Sequence, residues 1–299
     1  MASGTAPSNW NRWGPEDQRG TLNLITPERR RAALGSVRSG RTVSCARDLV
    51  PGLMPYARGA TAVEFDMVRS GADAPPDAAA GASEHLGMVF HGRYVTHLDS
   101  LAHVFDRGRL YNEVDAREVS PAGTRTHAVT VASEGIVTRG VLLDAARHRG
   151  VTELADGTPV EADELDAIAR AQGVTPRPGD AVLLRTGHGA RVAAWRPGDA
   201  PLTGYAGWAP SCLPWLHRHD AAVAGADTAQ DPLPAPADVR YELHVTGIVR
   251  LGLWLLDNCD LEELAAACES ERRWDFLFVI APLRLASGTG SPVNPIAIF

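Results

Sequence analysis

Short apolar runs bounded by Gly, Pro or Asp recur along the chain, and their length is that of β-strands. Such runs lie at 42–49, 88–99, 139–144, 180–186, 221–226 and 253–256, and a last one reads FLFVIAPLRL. The pattern predicts a sheet built from these segments.

Apolar residues at helical spacing lie between several of these strands. Thr26 followed by Pro27 is typical of a helix start, so we expect a helix over Pro27–Val37. Helices are also predicted over 161–172, 243–250 and the acidic segment 260–270.

The order of these elements predicts the fold class and the domain organisation. Strands and helices alternate loosely, and neither a repeat nor a Pro- or Ser-rich linker divides the 299 residues. We therefore expect the α/β class in a single domain over residues 1–299, with residues 1–26 as an irregular N-terminal arm. The loop 71–82, made of small residues and Pro, is the best candidate for a mobile lid.

Charge and composition exclude several classes of protein. The sequence contains no lysine, so all 29 basic residues are Arg. Mechanisms that need a Schiff-base or phosphate-binding Lys are excluded, which removes pyridoxal enzymes, P-loop NTPases and kinases. The net charge of −7 also argues against a nucleic-acid partner, because phosphate binding needs a basic face.

The cysteines and the N-terminus predict a cytoplasmic protein without a membrane segment. The four cysteines form no CxxC pair, which favours reduced thiols. The N-terminal residues lack a basic and apolar signal, and we find no run of about 18 apolar residues.

The segment THLDSLAH carries the clearest chemical signal. Side chains at i and i+2 of a strand face the same way with Cα atoms about 6.6 Å apart, so His97 and Asp99 can reach one ion while Leu98 points to the core. A turn over 100–102 would bring His103 to the same place, as a third ligand or as a base. Burying a carboxylate beside two imidazoles without a cation would be costly, which favours a metal or catalytic role.

The stretch HGRYVTHLDSLAHVF resembles the signature of the putative cyclase family of metal-dependent hydrolases, which includes kynurenine formamidase, isatin hydrolase and a dienelactone hydrolase. The similarity continues in NWNRWGPEDQRGTLNLIT, RGVLLD, PGDAVLLRTG, HVTGIVRLGLWLLDNCDLEELA and APLRLASGTGSPVNPIAIF, so it covers nearly the whole chain. The resemblance implies a swivelling β/β/α fold with a mixed sheet or barrel-like core flanked by helices. It also implies a homodimer or homotetramer, a Zn or Mn ion, and hydrolysis or ring closure of a small molecule.

Matched residue by residue, the resemblance also implies a set of site residues. His97 and Asp99 match metal ligands, and His103 matches a histidine that acts as general acid and base. His244 and Asp257 match the second cluster of ligands.

Two positions depart from the pattern of the formamidases. Those enzymes have a histidine where Arg93 stands, and the nearest imidazole here is His91. In a straight strand His91 would lie about 20 Å from His97, so sharing an ion requires a bend at Gly92. The formamidases also have Glu where Asp257 stands. We expect one metal ion, His91 as a second candidate for catalysis, and Arg93 as a contact for a substrate carboxylate or carbonyl.

These residues predict a metal-dependent hydrolase of a small cyclic or N-acyl substrate, an amide, lactam or lactone, without a Ser or Cys nucleophile. One alternative is a metal-dependent cyclase or dehydratase of secondary metabolism that uses the same site. The second alternative is a non-catalytic ligand-binding relative, motivated by Arg93 and Asp257.

Overall fold

The computed structural model describes residues 7–56, 62–75, 77, 79–235 and 241–299. Within those ranges the α-helices are α1 (Pro27–Leu34), α2 (Ala145–His148), α3 (Ala162–Gln172), α4 (His188–Ala194), α5 (Cys212–Arg218) and α6 (Glu262–Glu271), and a π-helix covers Leu243–Arg250. Short 3₁₀ helices lie at Gly20–Leu24, Gly71–Asp73, Tyr111–Glu113, Ala116–Glu118 and Val129–Ala132.

The strands of the described residues form one large sheet and three small ones. They are β1 (Thr42–Ser44), β2 (Glu64–Arg69), β3 (Ser83–Gly87), β4 (His97–Asp99), β5 (Val119–Ser120), β6 (Gly123–Thr124), β7 (Ile136–Asp144), β8 (Pro159–Val160), β9 (Ala181–Arg185), β10 (Gly207–Trp208), β11 (Val223–Ala226), β12 (Trp254–Asp257), β13 (Asp275–Ile280), β14 (Gly290–Pro292) and β15 (Ile296–Ile298). The large sheet has the order β1-β15-β13-β7-β9-β11-β12-β4-β14, and β2 pairs with β3, β5 with β6 and β8 with β10.

The nine-stranded sheet is mixed and curls into a half-barrel. Its central strands β7, β9, β11 and β12 are parallel neighbours, and the flanking pairs are antiparallel. The apolar runs of β9, β11 and β12 are buried almost throughout, which is typical of parallel strands covered on both faces. The predicted α/β class with a mixed sheet flanked by helices is confirmed.

Local signals in the sequence explain where two helices begin and end. The Thr26 hydroxyl accepts a hydrogen bond from the Arg29 amide at 3.3 Å, which caps α1. Helix α3 ends at Gly173, whose φ of 65° is left-handed. None of the helices in the described ranges is long and apolar enough for a bilayer crossing. The four cysteines are free and buried.

Three predicted boundaries are wrong. The run 88–99 is a strand only over His97–Asp99, and the run 42–49 only over Thr42–Ser44. The strand in FLFVIAPLRL ends at Ile280, because Pro282 lacks the N–H that would continue the ladder. The residues after this run contain two further strands, β14 and β15, which the apolar runs do not predict.

The two segments predicted to be irregular contain short helices. The loop 71–82 begins with the 3₁₀ helix Gly71–Asp73, and its residues 76 and 78 lie outside the described ranges. The N-terminal arm ends with the 3₁₀ helix Gly20–Leu24. The Asn9 amide donates to the Arg250 carbonyl at 2.9 Å, and the Trp10 indole donates to the Val249 carbonyl at 2.6 Å. The arm therefore packs against the end of the π-helix.

Candidate metal centre

Strand β4 places two of the predicted site residues side by side. His97 and Asp99 are both buried, and the His97 Nε2 atom lies 3.4 Å from Asp99 Oδ1. Leu98 between them is fully buried in the main core, because alternate side chains of a strand point to opposite faces. The antiparallel register with β12 sets Asp257 opposite His97. The two strands thus bring residues from distant parts of the sequence to one face.

A turn after β4 carries His103 back to this face. The His103 amide donates to the Ser100 carbonyl at 3.1 Å, and the Ser100 amide and hydroxyl both donate to the Thr289 carbonyl. The His103 Nε2 atom lies 3.9 Å from Asp99 Oδ2. Its contact with Asp99 is longer than those of His91 and His97.

A bend over residues 91–95 brings His91 to the same carboxylate. The His91 Nδ1 atom lies 2.9 Å from Asp99 Oδ1, and its ring stacks on that of His103 with centroids 3.9 Å apart. The Asn258 amide donates to the Gly92 and Val95 carbonyls at 2.8 and 3.1 Å. These bonds occupy carbonyls that a straight strand would use in its ladder, which explains why the predicted strand does not form before His97.

Strand β14 makes room for this bend. A Cβ at Gly290 would lie 2.6 Å from His91 Cε1 and 2.7 Å from the Leu98 carbonyl oxygen. The His91 Nε2 atom lies 3.1 Å from the Thr289 hydroxyl. The GTGSP segment of the sequence therefore has a packing role beneath His91.

The π-helix supplies His244, and Asp231 orients it. The Asp231 carboxylate lies 2.6 Å from His244 Nδ1 and accepts a 2.8 Å hydrogen bond from the Leu243 amide at the start of the helix. The His244 Nε2 atom is thereby directed at Asp257 Oδ2 (3.4 Å) and Asp99 Oδ2 (3.7 Å). Asp231 is not predicted from the sequence, because no motif or spacing connects it with a histidine 13 residues later.

The carboxylates and imidazoles of this cluster shift one another's pKa values. Burial disfavours the ionised form of Asp99, but His103 and His97 hold its pKa below the usual range. Burial likewise opposes protonation of His244, yet the carboxylates of Asp257 and Asp231 raise its pKa well above the ordinary value. Burial lowers the pKa of His103 to about 4.

The donor set fits a divalent cation. Both Asp99 carboxylate oxygens are buried and, within the described residues, neither accepts a well-oriented hydrogen bond, although His91 Nδ1 lies 2.9 Å from Oδ1. Such atoms normally find a donor or a cation. Two groups of side chains have possible ligand atoms within 4.8 Å of one another, and both include Asp99. The first group is His91, His97 and Asp99, and the second is Asp99, His244 and Asp257.

A cavity of about 340 Å³ opens over the cluster. Arg93 lines it, and the other wall residues outside the His and Asp cluster are Gly92, Val104, Tyr205, Ala229, Tyr241 and Val245. The structure thus brings all seven predicted site residues to one cavity or its floor.

Three further residues of chemically reactive types lie outside the cluster. The Asp227 carboxylate accepts hydrogen bonds from the amides of residues 186–188 and fixes the turn into α4. Cys259 is buried in the core, and burial raises the pKa of its thiol. His85 lies on β3, outside the cluster.

Comparisons with known proteins agree with this fold. The family model described as Putative cyclase matches residues 45–230, and the chain belongs to that family. A crystal structure described as a novel cyclase is 29% identical, with a TM-score of 0.87 over 98% of this chain and 99% of that one.

More distant solved structures share the fold. Isatin hydrolase A from Ralstonia solanacearum is 22% identical, with a TM-score of 0.58 over 89% of this chain and 93% of its own. A predicted metal-dependent hydrolase from Bacillus stearothermophilus is 12% identical, with a TM-score of 0.52 over 86% and 97% of the two chains. A search of curated protein sequences gives no significant match.

Proposed function

We propose that this protein is a metal-dependent hydrolase that binds one divalent ion, Zn²⁺ or Mn²⁺, through His97, Asp99, His244 and Asp257. The observation that carries the proposal is the Asp99 carboxylate, which is fully buried and has ring nitrogens of His91 and His97 2.9 and 3.4 Å from one of its oxygens. A mixed set of imidazole and carboxylate ligands suits either ion.

The spacing of the four side chains supports one shared ion. Bonds of about 2.1 Å in a tetrahedral site put neighbouring ligand atoms about 3.4 Å apart. The His97 Nε2 atom lies 3.4 Å from Asp99 Oδ1 and 3.9 Å from Asp257 Oδ2. The His244 Nε2 atom lies 3.4 Å from Asp257 Oδ2 and 3.7 Å from Asp99 Oδ2. Small side-chain adjustments would close these distances around an ion.

Other residues that line the cavity have separate roles in hydrolysis. When bound, the ion would lower the pKa of a water ligand towards about 7 and polarise a carbonyl. His103 takes the proton of the attacking water and returns it to the leaving amine or alkoxide. His91, stacked on His103, holds that ring in place. Arg93 binds a substrate carbonyl or carboxylate at the cavity wall.

The size and lining of the cavity support a small cyclic or N-acyl substrate. Tyr205, Tyr241, Val104 and Val245 offer apolar and aromatic surface to a compact ring. An amide, lactam or lactone would place its carbonyl at the cluster and its ring among these side chains. The similarity to an enzyme described as an isatin hydrolase agrees with a lactam.

A cyclase or dehydratase is the second candidate, favoured by the similarity to a structure described as a novel cyclase. In that reaction the same histidine moves a proton but water is not the nucleophile. Mass spectrometry of the product separates the two functions, because hydrolysis adds the mass of one water.

The test is metal content together with turnover. We expect about one equivalent of Zn or Mn per purified chain by elemental analysis. Hydrolysis of at least one of three substrate types, namely isatin-like lactams, lactones and N-formyl aromatic amines, should disappear after chelation and return with metal. A chain that binds no divalent metal, or whose turnover survives its removal, contradicts the proposal.

Asp231→Asn is expected to weaken metal binding by about 10- to 100-fold, because a carboxylate that accepts from a ligand imidazole fixes its orientation and raises its basicity. Asn can still accept from the Leu243 amide, so the helix start should survive. Chelator competition measures the change in affinity. Asp220→Asn, which removes only the ion pair with Arg12 at the surface, is the matched control and should bind as the wild type does. Equal affinities of the two variants would exclude this role for Asp231.

A further inference from the structure

The segment that follows β11 carries a buried glutamine against the metal centre. Gln230 is fully buried, and its side-chain amide donates to the Leu256 carbonyl at 2.9 Å and to Asp257 Oδ1 at 2.8 Å. The reverse orientation of this amide would set its oxygen against two acceptors, so its N–H groups must face β12. Gln230 is therefore a hydrogen-bond donor to one of the proposed metal ligands.

The two carboxylate oxygens of Asp257 have different surroundings. Oδ1 accepts the hydrogen bond from Gln230, whereas Oδ2 lies 3.4 Å from His244 Nε2 and 3.9 Å from His97 Nε2. A carboxylate that is free at both oxygens can bind an ion through one of them or through both. The bond from Gln230 occupies Oδ1 and leaves Oδ2 as the oxygen that faces the other ligands.

Two local features of Gln230 are unfavourable by themselves. Its φ of 60° lies in the left-handed region, which strains a residue with a side chain. Its Oε1 atom is buried and, in the part of the chain that the structure describes, has no hydrogen-bond partner. An apolar side chain of similar size would bury no unpaired oxygen. Strain and unpaired polar atoms are typical of functional positions, and here both belong to a side chain that contacts a proposed ligand.

The backbone around Gln230 is held by strand β10. The Trp208 amide donates to the Gln230 carbonyl at 2.9 Å, and a Cβ at Gly207 would overlap that carbonyl oxygen. The next residue, Asp231, contacts His244 Nδ1 at 2.6 Å. Two consecutive residues thus hold one proposed ligand on β12 and another on the π-helix.

We propose that Gln230 is a positioning residue of the metal centre, which occupies Oδ1 of Asp257 so that only Oδ2 is presented to the ion. The inference rests on the proposed function, since it requires an ion at the cluster. Among the described residues Gln230 is not part of the cavity lining, so its amide acts through Asp257 and not on a substrate.

Gln230→Met tests the proposal, because it keeps the unbranched stem of the side chain but removes its N–H donors. We expect the affinity for Zn²⁺ to fall by about 10- to 100-fold, the usual effect of losing the partner of a metal ligand. Competition with a chromophoric chelator measures the affinity. The matched control is Gln172→Met at the end of α3, which removes an amide that accepts from the Asp144 amide at 3.4 Å. It should bind Zn²⁺ as the wild type does.

The visible spectrum of bound Co²⁺ is a second readout, and a general loss of stability does not change it. Co²⁺ binds to the same types of ligand as Zn²⁺, and its d–d bands weaken as the number of ligands increases. Gln230→Met frees Oδ1 of Asp257 to bind the ion as well. We expect weaker and shifted Co²⁺ bands in this variant, and wild-type bands in Gln172→Met.

Gln230→Asn guards against a failure of the first variant to fold. Asn adopts the left-handed region readily, but its amide is one methylene shorter and does not reach Asp257. It should weaken Zn²⁺ binding and change the Co²⁺ spectrum as Gln230→Met does. Circular dichroism of the metal-free chains verifies that each variant folds.

Thermal unfolding separates a positioning role from a structural one. An ion that binds only the folded chain stabilises it by an amount that depends on its Kd. We expect added Zn²⁺ to raise the melting temperature of Gln230→Met and Gln230→Asn by less than it raises that of the wild type. The rise for Gln172→Met should equal that of the wild type.

The possible failures are distinguishable. A wild type that binds no divalent ion refutes this inference together with the proposed function. A wild type that binds Zn²⁺, with Gln230→Met and Gln230→Asn equal to it in affinity, refutes this inference alone. A lower affinity with an unchanged Co²⁺ spectrum overturns it as well, because Asp257 would then coordinate the ion in the same way without Gln230.

Discussion

Asp99→Ala should lose the bound metal and nearly all turnover. Asp99 is the one side chain of the cluster that contacts His91, His97, His103 and His244 together. Its removal takes away one of the two carboxylate ligands, and a metal site does not tolerate the loss of one of three or four ligands. His97→Ala should have the same effect. Elemental analysis and turnover with added Zn²⁺ or Mn²⁺ measure both.

The control for these variants is His148→Ala, which removes an exposed imidazole at the end of α2. It should keep wild-type metal content and turnover. Metal retained at the wild-type stoichiometry in both Asp99→Ala and His97→Ala would place the metal centre elsewhere in the chain. Loss of metal in only one of them would remove the other residue from the proposed ligand set.

His103→Ala should keep the metal and lower turnover by about 10² to 10⁴. The His103 imidazole belongs to neither group of possible ligand atoms that lie within 4.8 Å of one another, and it faces the cavity. His103→Asn preserves much of the packing but cannot exchange a proton near neutral pH, so it should be nearly as slow. The acidic limb of the pH–rate profile should change in both variants.

Two results would contradict the proposed role of His103. If His103→Ala strips the metal, the residue is a ligand, and His91 becomes the next candidate for the base because its ring is stacked on that of His103. If His103→Ala keeps both metal and full turnover, water is not activated by this side chain, and the non-hydrolytic functions gain support.

Local patterns in the sequence predict much of this fold. The cap at Thr26 and the apolar periodicity of 161–172 predict α1 and α3 within a few residues, and the buried runs predict β7, β9, β11 and β12. The alternation in His97-Leu98-Asp99 also predicts which side chains share a face. Each of these features depends on neighbours within a few positions along the chain.

Two features of the site depend on distant contacts: the bend before His97, which the sequence gives only as a condition for His91 to share the ion, and Asp231, for which the sequence gives no signal. The bend at 91–95 is held by Asn258, more than 160 residues away, and is accommodated at Gly290. Asp231 contacts His244 from 13 positions earlier in the chain. No local propensity encodes such contacts. The sequence therefore predicts a straight strand over 88–99 and gives no signal for Asp231.

The position of β14 beside β4 has a consequence for biosynthesis. Strand β4 lies between β12 and β14, and Ser100 is hydrogen-bonded to Thr289. Contacts between residues almost 200 positions apart form late, because the loop they close is long. We therefore expect a nascent chain to assemble the parallel strands β7, β9, β11 and β12 while translation continues, and the proposed metal site to reach its mature geometry only after β14 has been added.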